Sequence, residues 1–252
     1  MNILFNDLSK ETLSGITLKS TDLFENGNLA LHATENDKQI MKNREIFTEQ
    51  LSLPLNALTI ANQTHSDNFY KVTATDKGRG ATTMDNAIPN TDALYTDEPG
   101  ILLGTLTADC VPVTFYDHSK KIVGVIHSGW QGTVKEITSQ VFSHLKQYEQ
   151  SNPENILVHL GPALSQQKFE VDYDVYEKYL QLGYADPFIY DHETTGKYHI
   201  DNQKVVQKQC EMAGIPTTQI TSDQTCTFLS KNHFSYRENR QAGRHLSFIM
   251  MK

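Results

Sequence analysis

The chain has 252 residues, of which 38% are hydrophobic and 21% charged, and its formal net charge is −8. This length allows a substantial core, and the acidic charge disfavours broad binding to nucleic acid or anionic membranes, which needs a basic surface. The first residues lack the apolar core of a signal peptide, and no apolar run is long enough to cross a bilayer. Three cysteines do not build a disulfide framework. We therefore expect a cytoplasmic monomer without nucleic-acid or membrane partners.

The first predicted helix covers residues 35–53, where Ile40, Phe47 and Leu51 recur at helical spacing. Arg44 falls on the same face, so its guanidinium should point toward the core, where it needs an anion. Two interpretations are open. One is a buried or rim salt bridge, and the other is a clamp for phosphate or carboxylate, for which the arginine fork is suited.

The middle of the chain predicts three strands followed by a helix. Short apolar runs cover residues 100–106, 111–117 and 121–127. The segment SGWQG that follows predicts a glycine-rich turn. An amphipathic helix should then start at Thr133, which together with Glu136 predicts a capping box.

The last third of the chain predicts a strand, two helices and a final strand, at residues 155–161, 174–183, 201–214 and 244–250. Asp201 is the expected cap of the second of these helices, and Gly214 its stop. Strands and helices are interspersed along the chain without strict alternation. We therefore predict the α+β class, with a mixed β-sheet flanked by helices.

A thiol and an imidazole lie at the ends of two of these apolar runs. Asp109 and Cys110 directly precede the second run, His127 ends the third, and His65 lies in a polar stretch just after the apolar segment ALTIAN. The three ligand-type residues could bind zinc with an open fourth position. Alternatively, Cys110 is a nucleophile with His127 as its base, oriented by Asp109 or another carboxylate. They could also be packing residues only, and their spacing does not decide between these interpretations.

Several other chemistries lack their sequence motifs. None of the ten histidines has another histidine two residues away, whereas a multicopper cluster normally includes such pairs. The HxE and PCxxC motifs of zinc nucleobase deaminases are absent. The chain also has no phosphate-binding P-loop and no dinucleotide fingerprint. ATP-driven and nicotinamide chemistry therefore have no support in the sequence.

Eight segments, in order along the chain, resemble one protein family. They are KNREIF (42–47), NQTHSD (62–67), TDALYTDEPG (91–100), TADCVPV (107–113), VIHSGWQGT (125–133), GPALSQQKFEV (161–171), CT (226–227) and FSYRENRQAGR (234–244). Each segment is weak alone, but their order and spacing are specific. The chain resembles the YfiH-like family, also named the laccase-domain or polyphenol oxidase family, whose members look like purine nucleoside phosphorylases.

The resemblance implies a single compact α/β/α-layered domain over residues 1–252, with zinc ligands at His65, Cys110 and His127. It implies phosphorolysis of adenosine, inosine and methylthioadenosine, with phosphate as the second substrate, and adenosine deamination in the same pocket. Zinc would supply a Lewis acid or a water of lowered pKa for this chemistry. Two alternatives stay open. One is a copper-dependent phenol oxidase, because Cu²⁺ could occupy such a site, and the other is a cysteine hydrolase using Cys110 and His127.

Phosphorolysis also needs cations that hold phosphate near the ribose. Arg44 is the first candidate because of its core-facing position, and Arg237 and Arg244 are further candidates. Asp109 is next to Cys110 in the sequence, and it is a candidate either for proton transfer or for anchoring the turn beside a metal ligand.

Three departures from the family pattern bear on anion binding. The family's HAGWRG segment reads HSGWQG, which puts Gln131 in place of an arginine. Its GPCCYEV segment corresponds to SQQKFEV, which includes Lys168, and its arginine pair is Arg237 followed by Glu238. The implied zinc ligands are unaffected, whereas substrate preference and the details of anion binding stay open.

Overall fold

The computed structural model describes residues 1–192, 194 and 196–252. The described strands are β1 (Ile3–Phe5), β2 (Thr12–Thr17), β3 (Leu58–Ile60), β4 (Phe69–Lys71), β5 (Ala93–Thr96), β6 (Leu102–Thr107), β7 (Val111–Asp117), β8 (Ile122–Ser128), β9 (Ile156–Leu160), β10 (Glu170–Val171), β11 (Ile189–His192), β12 (Lys197–Ile200), β13 (Ile220–Ser222) and β14 (His245–Met251). The α-helices are α1 (Asp37–Gln50), α2 (Trp130–Val134), α3 (Ile137–Tyr148), α4 (Tyr173–Leu180) and α5 (Asn202–Met212).

The strands form three sheets, of six strands (β13-β9-β7-β8-β5-β4), five strands (β1-β2-β14-β6-β3) and three strands (β10-β12-β11). The pairs β13–β9, β4–β5 and β3–β6 are parallel, and the other pairs are antiparallel. The predicted α+β class with mixed pairing is therefore confirmed. None of the helices in the described part of the chain is both long and apolar enough to span a membrane.

The two large sheets pack face to face, and helices cover their outer faces. Tyr116 and Val125 of the six-stranded sheet meet Leu103 and Ile249 of the five-stranded sheet in one buried cluster. Side chains alternate along each strand, so Val113 faces the other way, into a cluster with α3 and α5. A further cluster joins α1 to the outer face of the five-stranded sheet. The order of layers is helix, sheet, sheet, helix, so the sheet layer is double rather than single as in the expected α/β/α arrangement.

Burial on both faces explains why the middle strands read as continuous apolar runs. Every residue of β6, β7, β8 and β14 is buried, as the layered packing requires. The strands predicted at 100–106, 111–117 and 121–127 match β6, β7 and β8 closely. The predicted cap of α5 is confirmed, because the Asp201 side chain accepts a hydrogen bond from the Lys204 amide at 3.0 Å.

The predicted turn and capping box between β8 and α3 are wrong. Residues 130–134 form α2 directly after Gly129, and α3 begins only at residue 137. Glu136 adopts a left-handed conformation with φ of 61°, which separates the two helices. The Thr133 hydroxyl bonds within the first turn, to the Gly129 carbonyl at 3.1 Å, and the Glu136 carboxylate instead accepts from the Tyr184 hydroxyl.

A buried histidine fastens the start of β14 to its surroundings. His245 is 1% exposed. Its Nε2 accepts from the Phe234 amide and its Nδ1 donates to the Thr17 carbonyl, both at 2.6 Å. These partners fix a neutral imidazole with the proton on Nδ1. Burial, with His233 nearby, lowers the pKa of His245 to about 3 from 6.5.

This histidine should make the fold sensitive to acid. Because the imidazole stays neutral in the folded protein but has a pKa near 6.5 in the unfolded chain, the unfolded chain binds the extra proton. Its contribution to the free energy of unfolding is complete above pH 6.5. That contribution falls by about 1.4 kcal/mol per pH unit between pH 6.5 and about 3. His245→Gln keeps one donor and one acceptor, so urea unfolding from pH 7.5 to 4.5 should show a shallower loss in the variant. Equal slopes in both proteins would contradict this.

Candidate metal centre

The structure brings His65, Cys110 and His127 together at one edge of the six-stranded sheet. His127 lies at the end of β8, and Cys110 directly precedes β7, which pairs antiparallel with β8. The register places Val111 opposite Ser128, so the end of β8 and the entry to β7 meet. His65 enters from the loop after β3 with a left-handed φ of 57°.

The three potential ligand atoms lie close together. All lie within 4.8 Å of one another, and Cys110 Sγ is 3.9 Å from His65 Nε2. Tetrahedral ligands at normal Zn–N and Zn–S distances would lie about 3.3–3.6 Å apart, so a small contraction would complete the site. Two imidazoles and a thiolate leave a fourth position open, as in catalytic zinc sites.

Gly129 leaves the space that the ligands occupy. A Cβ atom at this position would lie 2.8 Å from His65 Cδ2 and 2.9 Å from Cys110 Sγ. Such distances are too short for non-bonded atoms, so only glycine lets both side chains converge beside the start of α2. Gly129, the glycine of the HSGW segment, therefore lets the His65 and Cys110 side chains approach the backbone closely, in addition to any role in a turn.

Asp92, which the sequence reasoning missed, holds two of the three ligand residues. Its Oδ1 accepts from His127 Nδ1 at 2.8 Å and from the His65 amide at 3.0 Å. Its Oδ2 accepts from the Thr64 and Ser66 amides and from the Ser66 hydroxyl at 2.6–3.1 Å. The bond to Nδ1 leaves His127 Nε2 as its ligand atom. A carboxylate behind a ligating histidine is the usual partner that fixes the tautomer and orientation.

The electrostatics of the group favour a thiolate. Burial alone would raise the pKa of Cys110, but His127 and His65 lower it to about 6. Burial would likewise lower the pKa of His127, but Cys110 and Asp92 raise it to about 9. Burial opposes ionisation of Asp92, yet hydrogen bonds from His127 and Ser66 lower its pKa to about 2. A thiolate is the form in which cysteine binds a metal or acts as a nucleophile.

A cavity of about 550 Å³ lies beside these residues. That volume is within the range of roughly 300–1,000 Å³ typical of small-ligand pockets. Aromatic rings of Trp130, Phe169 and Tyr236 are part of its lining, together with His65 and Cys110. The site can therefore hold a flat, partly apolar ligand against His65 and Cys110.

Asp109 lies at the cavity but does not belong to a strand. It adopts a φ of 85° in the bend before β7, and both of its carboxylate oxygens are engaged. Oδ1 accepts from the Thr227 hydroxyl at 2.6 Å, and Oδ2 accepts from the Arg237 amide at 2.7 Å. These contacts fit the anchoring role considered from the sequence better than proton transfer.

The structure does not bring Arg44 to the cavity. Its side chain is fully buried, as the helical spacing predicted, but its partners are carbonyls and not carboxylates or a ligand. Nε donates to the Leu29 carbonyl, and Nη1 to the Gly80 and Ala81 carbonyls, at 2.7–2.8 Å. Arg44 joins α1 to two loops through these carbonyls, and among the described residues its buried Nη2 has no hydrogen-bond partner. The salt bridge is therefore not formed, and the phosphate clamp stays a prediction.

The other two arginines predicted to bind phosphate differ in placement. Arg237 lines the cavity, and its Nη1 donates to the Lys168 and Glu170 carbonyls. Arg244 is not part of the lining, and its guanidinium bonds to the Ala242 and Gly243 carbonyls. Arg237 thus stays a candidate, while Nη1 of Arg244 serves its own loop.

The residues singled out at the three departures, Gln131, Lys168 and Glu238, lie outside the cavity lining. Gln131 is half-buried in α2, and Glu238 is exposed. The Lys168 ammonium lies 4.9 Å from the centre of the Phe228 ring. None of them therefore changes the wall of the cavity directly.

Comparison with known proteins agrees with this arrangement. Residues 15–252 match the family described as multi-copper polyphenol oxidoreductase laccase. The chain belongs to this family. Its structure is similar to that of the hypothetical protein YfiH of Bacillus licheniformis, with a TM-score of 0.95 and 33% identity, covering 100% of this chain and 97% of that one. The resemblance stated from the sequence is confirmed.

Two relatives of this laccase-domain chain carry enzyme names. Purine nucleoside phosphorylase YlmD of Bacillus subtilis (strain 168) is 33% identical over 253 residues, covering 98% of this chain and 91% of that protein. Adenosine deaminase RL5, from an unknown prokaryotic organism, is 29% identical over 217 residues, covering 86% and 82%. Despite the family's description, His65, Cys110 and His127 are the one group of three potential metal ligands found among the described residues.

Proposed function

We propose that the protein is a zinc-dependent purine nucleoside phosphorylase that also deaminates adenosine. Adenosine, inosine and methylthioadenosine are the proposed nucleosides, and phosphate is the co-substrate. The observation that carries this proposal is the three-ligand group of His65, Cys110 and His127, held by Asp92 at the wall of a ligand-sized cavity. Relatives named for phosphorolysis and for deamination support the same two reactions.

Phosphorolysis makes defined demands on the cavity. Phosphate attacks C1′ of the ribose while the C1′–N9 bond breaks, and the bonding electron pair leaves with the purine, which then takes up a proton. Positive charge develops on the ribose and negative charge on the base. A zinc ion bound at this site would supply Lewis acidity and would lower the pKa of a water molecule, which deamination at C6 needs.

The chain's own residues supply orientation and charge. Trp130, Phe169 and Tyr236 offer ring faces against which a purine can stack. Arg237 offers a cation for the dianion, and Asp109 holds the backbone of that arginine beside Cys110. Fixed donors of this kind stabilise developing charge without having to reorganise during the reaction.

Product analysis tests the proposal. Metal-analysed protein is incubated with adenosine, with and without phosphate, and the products are separated by chromatography. Adenine and ribose 1-phosphate should form only with phosphate, and inosine should form in both. Cys110→Ala should lose zinc and both activities, whereas Cys210→Ala, which alters a buried cysteine of α5, should keep them. Zinc-loaded protein that leaves adenosine, inosine and methylthioadenosine unchanged would contradict the proposal.

A cysteine hydrolase is a second candidate because Cys110, His127 and Asp92 also form the nucleophile, base and orienting acid of such an enzyme. His65 beside the thiol favours the metal interpretation, since a hydrolase does not need it. The two differ in their response to chelation. A hydrolase stays active in metal-free protein and is inactivated by alkylation of Cys110, whereas the zinc enzyme loses activity with its metal. The same metal analysis decides between zinc and Cu²⁺.

A further inference from the structure

Arg240 is a cavity arginine that neither the sequence motifs nor the comparisons single out. It lies on the lining with His65 and Cys110, and it is exposed. Arg44, Arg79, Arg237 and Arg244 each donate at least one guanidinium hydrogen bond to a protein group. Within the described part of the chain, Arg240 is the arginine whose guanidinium has no protein partner. All of its donors are therefore available to a ligand.

The segment that carries Arg240 is held by hydrogen bonds at both ends and in the middle. We name residues 234–244 the arginine loop. The Phe234 amide donates to His245 at its start, and the Arg244 amide donates to Asn28 at its end. In the middle, the Arg237 amide donates to Asp109, next to the metal ligand Cys110. A turn inside the loop is closed by the bond from the Ala242 amide to the Asn239 carbonyl. These contacts hold the backbone around Arg240 at a defined place beside the metal-ligating residues.

The charges around the cavity leave this loop as the place for an anion. Four carboxylates, those of Asp109, Glu170, Asp172 and Asp174, also belong to the lining and would repel a dianion. Both oxygens of Asp109 already accept hydrogen bonds, from the Thr227 hydroxyl and the Arg237 amide. Asp172 pairs with Lys197, and Glu170 lies 3.5 Å from His199 Nε2, so side chains of β12 already face two of the other carboxylates. The cationic part of the lining is Arg237 and Arg240, three residues apart on one loop.

We propose that Arg240, together with the unbonded donors of Arg237, forms the subsite for phosphate in this cavity. The inference rests on the proposed phosphorylase function and names the residue that binds its co-substrate. A guanidinium fork matches two phosphate oxygens, which an ammonium group cannot do in the same way. Arg240 would also restore, two residues along the loop, the positive charge that the chain lacks at Glu238.

Direct binding of inorganic phosphate to the zinc-loaded full chain tests the subsite. Isothermal titration is carried out on the wild type, Arg240→Gln, Arg240→Lys and, as a control, Lys231→Gln, which removes an exposed charge outside the lining. Arg240→Gln should weaken phosphate binding at least about tenfold, because a charged bidentate contact is lost. Arg240→Lys should recover part of it, and Lys231→Gln should bind as the wild type does. Wild-type affinity in Arg240→Gln, or no phosphate binding by the wild type, would overturn the subsite.

Kinetics separate this inference from the function on which it rests. In Arg240→Gln the KM for phosphate should rise by the same factor as the dissociation constant, with the KM for the nucleoside unchanged. Deamination uses no phosphate, so its rate should stay at the wild-type value and report an intact metal site. If the wild type binds phosphate through Arg240 but releases no purine, phosphorolysis fails and the subsite stands. If Arg240→Gln weakens binding of AMP but not of phosphate, the residue recognises a nucleotide and the subsite is wrong.

Discussion

Replacing Gly129 by alanine should remove the metal and both proposed activities while leaving the fold intact. The new Cβ would lie 2.8 Å from the His65 ring and 2.9 Å from the Cys110 sulfur, so at least one of these side chains must move away. Loss of one ligand from a three-ligand site leaves two, which hold zinc weakly. We expect zinc affinity and both rates to fall by about 10–100-fold, as they do when the groups around metal ligands are disturbed.

Gly132 provides a matched control three residues further along. A Cβ there would meet its nearest neighbours at 3.4 Å or more, which is ordinary contact. Both positions have negative φ angles that alanine adopts readily, and Gly132 lies within α2. Gly132→Ala should therefore bind zinc as the wild type does and unfold at the same or a slightly higher temperature, because alanine favours a helix over glycine.

The pair of variants distinguishes a metal centre from other uses of the same residues. If the three side chains only packed against each other, Gly129→Ala would lower the stability of the fold. Neither the wild type nor the variant would then contain bound zinc. Elemental analysis after dialysis measures the zinc content. If Gly129→Ala kept one zinc per chain, the space left by the missing Cβ of Gly129 would not be needed for the site. The interpretation of His65 and Cys110 as joint ligands would then have to be abandoned.

The strands and the three ligand-type residues could be predicted because their signals are local. An apolar run buried on both faces is visible in the sequence of β7 or β8 alone, and Cys110 and His127 stand at the ends of such runs. Their meeting follows from the antiparallel pairing of two successive strands. His65 could be proposed from the sequence as a third zinc ligand, but the loop that carries it has no regular pattern, and only the family resemblance favoured that interpretation.

Asp92 and Arg44 show what a local pattern does not contain. Asp92 acts on residues 26–35 positions away, and nothing around it in the sequence distinguishes it from a surface acid at the start of a strand. The helical spacing correctly placed Arg44 on the buried face of α1. Its partners, however, are backbone carbonyls of loops 15 to 37 residues away, and carbonyls exist at every position of a sequence. The failed capping box has the same origin, because Glu136 is drawn to Tyr184, which is 48 residues distant.

Replacing Asp92 by asparagine should weaken the metal site through His65 and His127 without touching the metal. An asparagine has one acceptor oxygen and one amide group that only donates. If the NH2 group takes the position of Oδ1, it faces two other donors, His127 Nδ1 and the His65 amide. If it takes the position of Oδ2, it faces the donors of Thr64 and Ser66 instead. Neither orientation satisfies the set, so we expect metal affinity to fall by about 10–100-fold and stability by about 2–4 kcal/mol.

The effect on affinity must be separated from the effect on stability, and Asp76 allows this. Asp76 is a buried carboxylate of the same kind, which accepts from the Thr73 amide and from Arg79, but it has no contact with the metal-ligating residues. Asp76→Asn should lower the midpoint of urea unfolding and leave the affinity for Co²⁺, followed by the thiolate-to-cobalt absorption band, unchanged. Asp92→Asn should shift both. If its cobalt affinity equals that of Asp76→Asn, Asp92 stabilises the fold only. The orientation of His127 must then come from the protein packed around the ring.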